Sequence, residues 1–316
     1  MKRGTVSIKP EGKTHEMGLF KYIIKNKYLY IMLVPCIIYF IIFQYYPMYG
    51  VIMAFQDFQF SKGFFRSPWV GFDNFVYMFK LQDFYRVFFN SIYLSFIRLV
   101  FGFPIPILLA LMLNEIRNVF IKRLTQTAMY LPYFISWVVI GGILVNFLSP
   151  SWGIINNLLK QLGYEPIFFL GEAKYFRVIV VISSIWKYAG WDTILYLAAI
   201  TSINPELYAA ALIDGANRFQ RIIYITIPSI KATISILLLL RIGNLMSNGF
   251  EQIFLLQNQN NKSVSEVFET YTYWIGLITG KYSFGATVGL FTSLVGFILL
   301  VITNQLSKKI GEEGIW

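Results

Sequence analysis

Near its amino-terminal end the chain contains a charge-free run that is long enough to cross a lipid bilayer. No charged side chain occurs between Lys27 and Asp57, and most of this interval is apolar. About 20 apolar residues are needed to cross the ~30 Å of hydrocarbon in a bilayer. The apolar core is too long for a signal peptide and no small-residue cleavage site follows it. The run therefore predicts an uncleaved first membrane helix.

The composition of the whole chain extends this prediction. Of its 316 residues 56% are hydrophobic and only 14% are charged, whereas about 25% of the residues of a soluble domain are charged. Further apolar stretches of spanning length occur at 88–113, 125–148, 176–200, 229–255 and 284–306. Helices satisfy their own backbone hydrogen bonds in lipid. The sequence thus predicts an all-α, polytopic membrane protein with about six transmembrane helices.

The distribution of Lys and Arg predicts the orientation. Seven of them lie in the first 27 residues, against Glu11 and Glu16, and others follow the second, fourth and sixth spans. The connections on the opposite side are nearly balanced in charge. Because cytoplasmic loops carry the excess of Lys and Arg, both termini are expected in the cytoplasm. The formal charge of +11 then needs no nucleic acid to explain it.

The predicted organisation is simple, and no internal repeat is visible, which weighs against a secondary transporter built from two halves. The predicted segments are a basic cytoplasmic tail at 1–27, the first membrane helix and an external segment at 28–86, a membrane core at 87–307 with a cytoplasmic loop at 203–228, and a cytoplasmic tail at 308–316.

Several kinds of chemistry are excluded by what the sequence lacks. The single cysteine, Cys36, and the single histidine, His15, exclude an internal disulfide, a cysteine metal cluster and most histidine-centred catalysis. The nearest match to a phosphate-binding loop, Gly276 to Lys281, is one residue short and has no Ser or Thr after the lysine. A membrane enzyme would need paired carboxylates, a metal cluster or a nucleophile with its base, and no such group is apparent.

The loop after the fourth span carries the strongest local signal. Asn204 suits a helix N-cap, Pro205 the first helical position and Glu206 the positive helix end. Ala209, Ala210 and Ala211 then favour a narrow helix, Asp214 and Gly215 end it, a second helix begins near Asn217, and Pro228 lies where the chain re-enters the bilayer. A short helix with a small-residue face suits docking into another protein, and the alternative is an ordinary surface loop.

Here the chain resembles a known family. The stretch LYAAALIDGANRF, followed by ITIPSI, resembles the coupling-loop signature of type I ATP-binding-cassette importer permeases. Other stretches, among them YYPMYGVIMAFQDF, GFDNF, TQTAMYLPYFISWVV and YSFGATVGLF, resemble the carbohydrate-uptake subgroup. Within it they are most similar to permeases for oligosaccharides from plant polysaccharides, such as aldouronates and rhamnogalacturonan.

The resemblance implies a set of partners in a bacterial cytoplasmic membrane. These are a second, different permease, two ATPase subunits that bind ATP and Mg, and an external solute-binding protein, with no cofactor or metal on this chain itself. It also implies docking to the ATPase through Tyr208, Ala209, Ala210, Ala211, Asp214, Gly215, Ala216 and Phe219. The family usually has Glu where Ala209 stands, so no ionic contact is expected there. The alternative function is a self-contained secondary transporter or channel, which would need neither ATP nor a docking loop.

Polar residues within the spans indicate a substrate path, because such residues usually face a bundle interior or a cavity. In the fifth span five polar residues fall on one stripe of the helix: Arg241, Asn244, Asn248, Glu251 and Gln252. The fourth span adds Lys187, Tyr188 and Trp191, and Lys187 could neutralise Asp192 or a residue on another helix. The alternative interpretation of the stripe is hydrogen bonding between helices, with Arg98 as a further structural group. Two basic residues within spans, Lys187 and Arg241, suit an acidic oligosaccharide, and the alternative is that both are paired within the protein.

Overall fold

A computed structural model describes residues 25–309 as helices joined by turns. Within that range the only β pairing is an isolated antiparallel bridge between Gln56 and Trp69, so the all-α prediction is confirmed. Most of the two predicted tails, and His15 with them, lie outside the described residues.

The principal helices are α1 (Lys27–Phe55), α2 (Asp73–Lys80), α3 (Gln82–Glu115), α4 (Val119–Phe134), α5 (Trp137–Phe147), α6 (Ile154–Gln161), α7 (Ala173–Thr201), α8 (Pro205–Ile213), α9 (Arg218–Ser229), α10 (Lys231–Gly243), α11 (Phe250–Leu256), α12 (Phe268–Thr272, continued by the π-helical turns Tyr273–Ile278) and α13 (Tyr282–Lys309).

The chain divides by packing into one unit that ends at Val51 and another that begins at Ile52. Nearly all described side chains of the first unit are exposed, including long apolar ones on every face of the helix. A helix that is apolar all round suits lipid rather than water as its surroundings. Pro35 lies inside it, which membrane helices tolerate.

Four helices among the described residues are long and apolar enough to cross a bilayer: α1, α3, α7 and α13. Two bent pairs, α4 with α5 and α9 with α10, raise this number to six if each pair counts as one span. The prediction of about six spans is confirmed on that count, and the chain is a multi-pass membrane protein.

The predicted span at 125–148 is not one continuous helix. The chain turns by 95° between α4 and α5. At the turn the Oγ atom of Ser136 accepts the backbone N–H of Val139, at 3.4 Å, and so caps the new helix. Hydropathy depends only on the number of apolar residues in a stretch, so it does not detect such a change of direction.

The predicted helix at 229–255 is interrupted as well. α10 ends at Gly243, and the next helix, α11, begins only at Phe250, after a non-helical stretch that includes Asn248 and Gly249. Gly249 has a φ of 74°, so no regular helix passes through it. The polar stripe predicted for this span therefore does not lie on one helix face.

Three apolar clusters hold the second unit together. The first joins α3, α7 and α11 through Leu94, Phe176, Val180 and Ile253. A second cluster, around Phe84, Phe268 and Phe284, joins α2, α3, α12 and α13. The third joins the carboxy-terminal parts of α3 and α7 to Ile230 at the start of α10. Together they place α3 and α7 at the centre, where they wall a cleft.

The segment after α1 folds onto the start of α13. The backbone N–H of Phe58 donates to Ser283 Oγ at 2.7 Å, and Thr287 donates to the carbonyl of Ala54 at 3.3 Å. Asn74 on α2 donates to the carbonyls of Ala54 and Gln56, both at 3.0 Å. These bonds hold the segment around Ala54–Phe58 against α2 and the start of α13.

Candidate functional site

A polar chamber lies between α3, α7 and the break that follows α10. Its volume is about 340 Å³, within the range of roughly 300–1,000 Å³ that is typical of ligand sites. The polar side chains that line it include Ser95, Arg98, Tyr188, Asp192, Arg241 and Ser247. We call it the polar chamber.

A second chamber of about 240 Å³ adjoins the first. Asp192, Arg241 and Asn244 line both chambers. The other six residues that line it are Phe103, Pro106, Leu195, Tyr196, Leu237 and Leu240, and all of them except Tyr196 are purely apolar. We call it the apolar chamber.

An ion pair stands at the junction of the two chambers. Arg241 Nη1 on α10 donates to Asp192 Oδ2 on α7 at 2.9 Å, and the two side chains are 38% and 30% exposed. An ideal Cβ on Gly102 of α3 would lie 3.4 Å from Arg241 Nη2, so the guanidinium group also lies against the third helix. The pair thus connects the walls of the cleft.

Arg98 contributes a second cation to the polar chamber and is held by neutral acceptors. Its guanidinium group donates to the backbone carbonyl of Asn248 and, at 2.6 Å, to Gln252 Oε1. Arg98 Nε is buried without a hydrogen-bond partner. Among the described residues that line this chamber, two arginines therefore face a single carboxylate, that of Asp192.

Asn248 and Gln252 support the break between α10 and α11 and do not line either chamber. Asn248 is fully buried; its Oδ1 accepts from Ser95 Oγ at 3.0 Å, and its backbone N–H donates to Glu269. Gln252 Nε2 donates to Val180 O and to Ser183 Oγ, both at 2.8 Å. Glu269 lines a different cavity, behind the break.

The predicted path residues therefore separate into groups. Arg241, Asn244 and Tyr188 line the polar chamber, whereas Glu251 is exposed elsewhere. Lys187 is buried and donates to the backbone carbonyls of Tyr133 and Ile135, at the turn between α4 and α5. The suggestion that Lys187 neutralises Asp192 is wrong, because Asp192 pairs with Arg241.

The aromatic residues of α7 also support that turn. Trp191 stacks on Tyr133 with ring centres 4.2 Å apart and planes 5° from parallel. Tyr188 accepts a hydrogen bond from Trp137 Nε1 at 3.0 Å.

The sequence analysis did not predict that Arg98, Asp192 and Ser95 line the polar chamber. For Arg98 and Asp192 a signal was available, because a charged residue within a membrane span usually faces a cavity or the bundle interior.

The loop between α7 and α10 has the local structure that its sequence predicts. Asn204 Oδ1 accepts the backbone N–H of Glu206 at 3.0 Å and caps α8. At the other end the N–H of Ala216 donates to Ala211 O at 2.8 Å and that of Gly215 to Leu212 O at 3.1 Å. With Gly215 at a φ of 79°, this is a Schellman cap.

The start of the second short helix is capped as well. Asn217 and Gln220 form a reciprocal capping box, with hydrogen bonds of 2.8 and 2.9 Å. The hydroxyl groups of Tyr208 and Thr226 lie 2.9 Å apart and connect α8 to α9. Tyr208, one of the predicted docking residues, is therefore partly engaged inside the loop.

The outer surface of this loop is apolar. Ala209, Ala210, Asp214 and Gly215 are exposed, and Ala211 and Ala216 are half-buried. Phe219 is 71% exposed and Ile213 is 87% exposed. Sequence reasoning did not single out Ile213, whose side chain adds the most exposed apolar surface of α8.

The chain matches the model of the family described as the binding-protein-dependent transport system inner membrane component, over residues 102–312. The chain belongs to this family. It is a permease component of a transport system.

Two relatives of this permease come from Bacillus subtilis (strain 168). The protein LplB is 46% identical over 292 residues, which cover 92% of each chain. The polygalacturonan/rhamnogalacturonan transport system permease protein YteP is 44% identical over 294 residues, 93% of this chain and 92% of that protein.

Solved structures show the same fold. A chain of a bacterial alginate ABC transporter, crystallised in complex with an alginate pentasaccharide-bound periplasmic protein, is 43% identical with a TM-score of 0.86, covering 94% of this chain and 99% of that one. A chain of a bacterial ABC transporter involved in the import of the acidic polysaccharide alginate is 44% identical with a TM-score of 0.85, covering 92% and 99%. This permease therefore has the fold of a type I ABC importer subunit.

Two helices of the permease connect the cleft to the loop. α7 carries Asp192 and leads into α8, while α10 carries Arg241 and follows the loop by way of α9. The loop is therefore connected along the chain to both helices that carry the ion pair.

Proposed function

We propose that this permease imports acidic oligosaccharides, and that the cleft between α3, α7 and α10 is the path they take. The observation that carries the proposal is the lining of the polar chamber, in which Arg98 and Arg241 occur together with Asp192 as the single lining carboxylate. The relatives named for polygalacturonan, rhamnogalacturonan and alginate act on polymers of the same chemical class.

The lining of the polar chamber suits a sugar acid. Ser95, Ser247 and Asn244 supply hydroxyl and amide groups that can both donate to and accept from sugar hydroxyls. Arginine binds carboxylates through charge-assisted and often paired hydrogen bonds. A chamber with these groups favours uronate units over neutral sugars of the same size.

The driving force comes from a separate ATPase in this proposal. The loop at 203–228 docks on that subunit, which binds ATP and Mg, and both termini lie on the same, cytoplasmic side. A solute-binding protein delivers the oligosaccharide to the opposite face, and a second permease completes the pathway. Closure of the ATPase subunits moves α8, and α7 and α10 then expose the cleft to alternate sides.

The docking contact is mainly apolar in this proposal. Ala209 replaces the glutamate that the family's loop usually has, while Ile213 and Phe219 present exposed apolar side chains next to it. Burial of such groups against a partner is favourable and depends little on ionic strength.

Reconstitution of the complex tests the proposal. The chain, tagged at its carboxy terminus, is purified in mild detergent with the proteins that accompany it, placed in vesicles loaded with ATP, and supplied with its binding protein. Uptake of trigalacturonate or an alginate trisaccharide above that of neutral arabinotriose or maltotriose supports it. Uptake of neutral probes alone contradicts the acidic substrate class. Repeated purification of the chain alone would favour a self-contained transporter.

A further inference from the structure

The Asp192–Arg241 ion pair lies more than two helical turns away from the coupling loop on both of its helices. Asp192 is nine residues from the end of α7 and Arg241 is ten residues from the start of α10, in each case the end nearest the coupling loop. At ~1.5 Å per residue these distances are about 14 and 15 Å, or half of a ~30 Å hydrocarbon layer.

The two chambers lie on opposite sides of this pair along the helices that form the cleft. On α7 the polar chamber is lined by Tyr188, before Asp192, and the apolar chamber by Leu195, after it. Around Arg241 the order is reversed, as an antiparallel neighbour requires, with Leu237 in the apolar chamber and Ser247 in the polar one.

The third wall shows the same division. On α3, Arg98 lines the polar chamber, whereas Phe103 and Pro106, further along the same helix, line the apolar one. The ion pair thus lies between the two chambers and lines both of them, and the chamber nearer the coupling loop is walled mainly by apolar residues beside Asp192, Arg241 and Asn244.

We propose that this ion pair is a charge-selective gate, which opens when a carboxylate of the substrate replaces Asp192 as the partner of Arg241. The inference rests on the proposed function, because it needs a substrate that carries carboxylates. It assigns Arg241 and Asp192 as the residues that determine specificity for charge.

The surroundings of the pair favour this exchange. Both side chains are partly exposed, so a carboxylate in the polar chamber can reach Arg241. Arg98 makes its hydrogen bonds to neutral acceptors and interacts electrostatically with Glu269, which lies outside the chamber. It adds a second guanidinium group to the lining that an anion in the chamber can approach. Exchange of one carboxylate for another leaves Arg241 paired and only Asp192 without its partner. If the pair opened for a neutral sugar, both charges would be unpaired, which costs more.

The exchange also has a route to the coupling loop. While the pair is intact it cross-links α7 to α10, the helices on either side of that loop. Release of Asp192 removes the cross-link and lets the two helices move apart at that point. The gate therefore connects the presence of an acidic substrate to movement at the ATPase side.

The test uses three variants of the reconstituted complex: Arg241→Gln, Asp192→Asn, and the double variant with both changes. The probes are the uronate trisaccharide that the wild type transports and its carboxyl-reduced, neutral counterpart of equal length. Arg241→Gln leaves Asp192 as an unpaired anion, so the ratio of acidic to neutral uptake falls at least tenfold. Asp192→Asn leaves no ion pair to break, so uptake of the neutral probe and ATP hydrolysis without substrate both rise several-fold.

The double variant separates selectivity from folding. Asn and Gln can still hydrogen-bond across the cleft, so the complex is expected to assemble while the preference for the acidic probe is lost. The matched control is Arg86→Gln, which breaks a 2.8 Å ion pair with Glu266 outside both chambers and keeps the wild-type ratio.

The outcomes distinguish the two proposals. If the wild type transports no uronate probe, the proposed function fails and the gate fails with it. If the wild type prefers the acidic probe and the assembled double variant retains that preference, the ion pair is structural and the gate alone is overturned.

Discussion

Replacement of Gly215 by valine is expected to uncouple ATP hydrolysis from uptake. Gly215 has a φ of 79°, a conformation that costs a residue with a side chain about 1–2 kcal/mol. No atom lies within 4 Å of an ideal Cβ at this position, so the cost comes from the backbone and not from a clash.

The Schellman cap sets the size of the effect. If the substituted valine leaves the left-handed region, the hydrogen bonds to Ala211 O and Leu212 O are lost, at about 0.5–1.5 kcal/mol each. Either route destabilises the capped loop by about 1–3 kcal/mol. A change of 1–2 kcal/mol shifts the equilibrium between the intact and the disrupted loop by a factor of about 5–30. Uptake per ATP hydrolysed is expected to fall by up to that factor, while membrane insertion is unchanged.

The chain provides a matched control for this variant. Gly163, which follows α6, has a φ of 82° and open space around an ideal Cβ. Its N–H donates to Lys160 O, and that of Tyr164 to Leu159 O, which is the same Schellman pattern. Gly163→Val thus imposes equal strain on a different connection.

The assay measures ATP hydrolysis and substrate uptake in the same vesicles and compares their ratio among the three proteins. We expect a lowered ratio for Gly215→Val and the wild-type ratio for Gly163→Val. A wild-type ratio for Gly215→Val, or an equal loss for both variants, would refute the assignment of this loop as the coupling element.

Three further predictions concern stability and docking. Gln252→Leu removes one of the two acceptors of Arg98. It should destabilise the permease by about 1–3 kcal/mol, seen as a lower melting temperature, with the exposed Glu251→Gln as a near-neutral control. In Gly190→Ala the new Cβ would lie 2.0 Å from Met129 O, so the free energy of unfolding should fall by about 1–3 kcal/mol or more. The control is Gly142→Ala, which has open space around the new Cβ and should melt at the wild-type temperature. Ile213→Asp should reduce the amount of ATPase that is recovered with the permease on purification. The wild-type complex should stay together in ~1 M salt, because salt does not screen an apolar contact. Dissociation of the wild-type complex by salt would contradict an apolar docking contact.

The sequence was sufficient to predict the spans but not their interruptions. Apolar length is a property of composition, so charge-free runs such as the one that begins after Lys27 are visible without a structure. The break after α10 did have a signal, since Asn248–Gly249 is a dipeptide typical of turns. The polar residues on either side of this dipeptide recur at a helical period, and that period favours a continuous helix over a turn.

The site was harder to predict because its central contact joins distant parts of the chain. Asp192 and Arg241 are 49 residues apart, and no local pattern connects them. The nearer candidate for Asp192, Lys187, is five residues away on the same helix, which at ~100° per residue places the two side chains about 140° apart. Helical geometry therefore disfavours an ion pair between Lys187 and Asp192. Arg241 can be identified as the partner of Asp192 only from the packing of α7 against α10.

The break after α10 explains how the polar chamber retains its positive charge. A cation within a membrane protein needs acceptors, and in a regular helix the backbone carbonyls are occupied by the helix itself. The break frees the carbonyl of Asn248, which together with Gln252 holds Arg98. Arg98 is therefore satisfied in part without a carboxylate in the chamber, and Asp192 remains available to Arg241. An acid in place of Gln252 would neutralise Arg98 and remove the attraction for a carboxylate, so the irregular backbone and the charge selectivity proposed for the gate have the same structural origin.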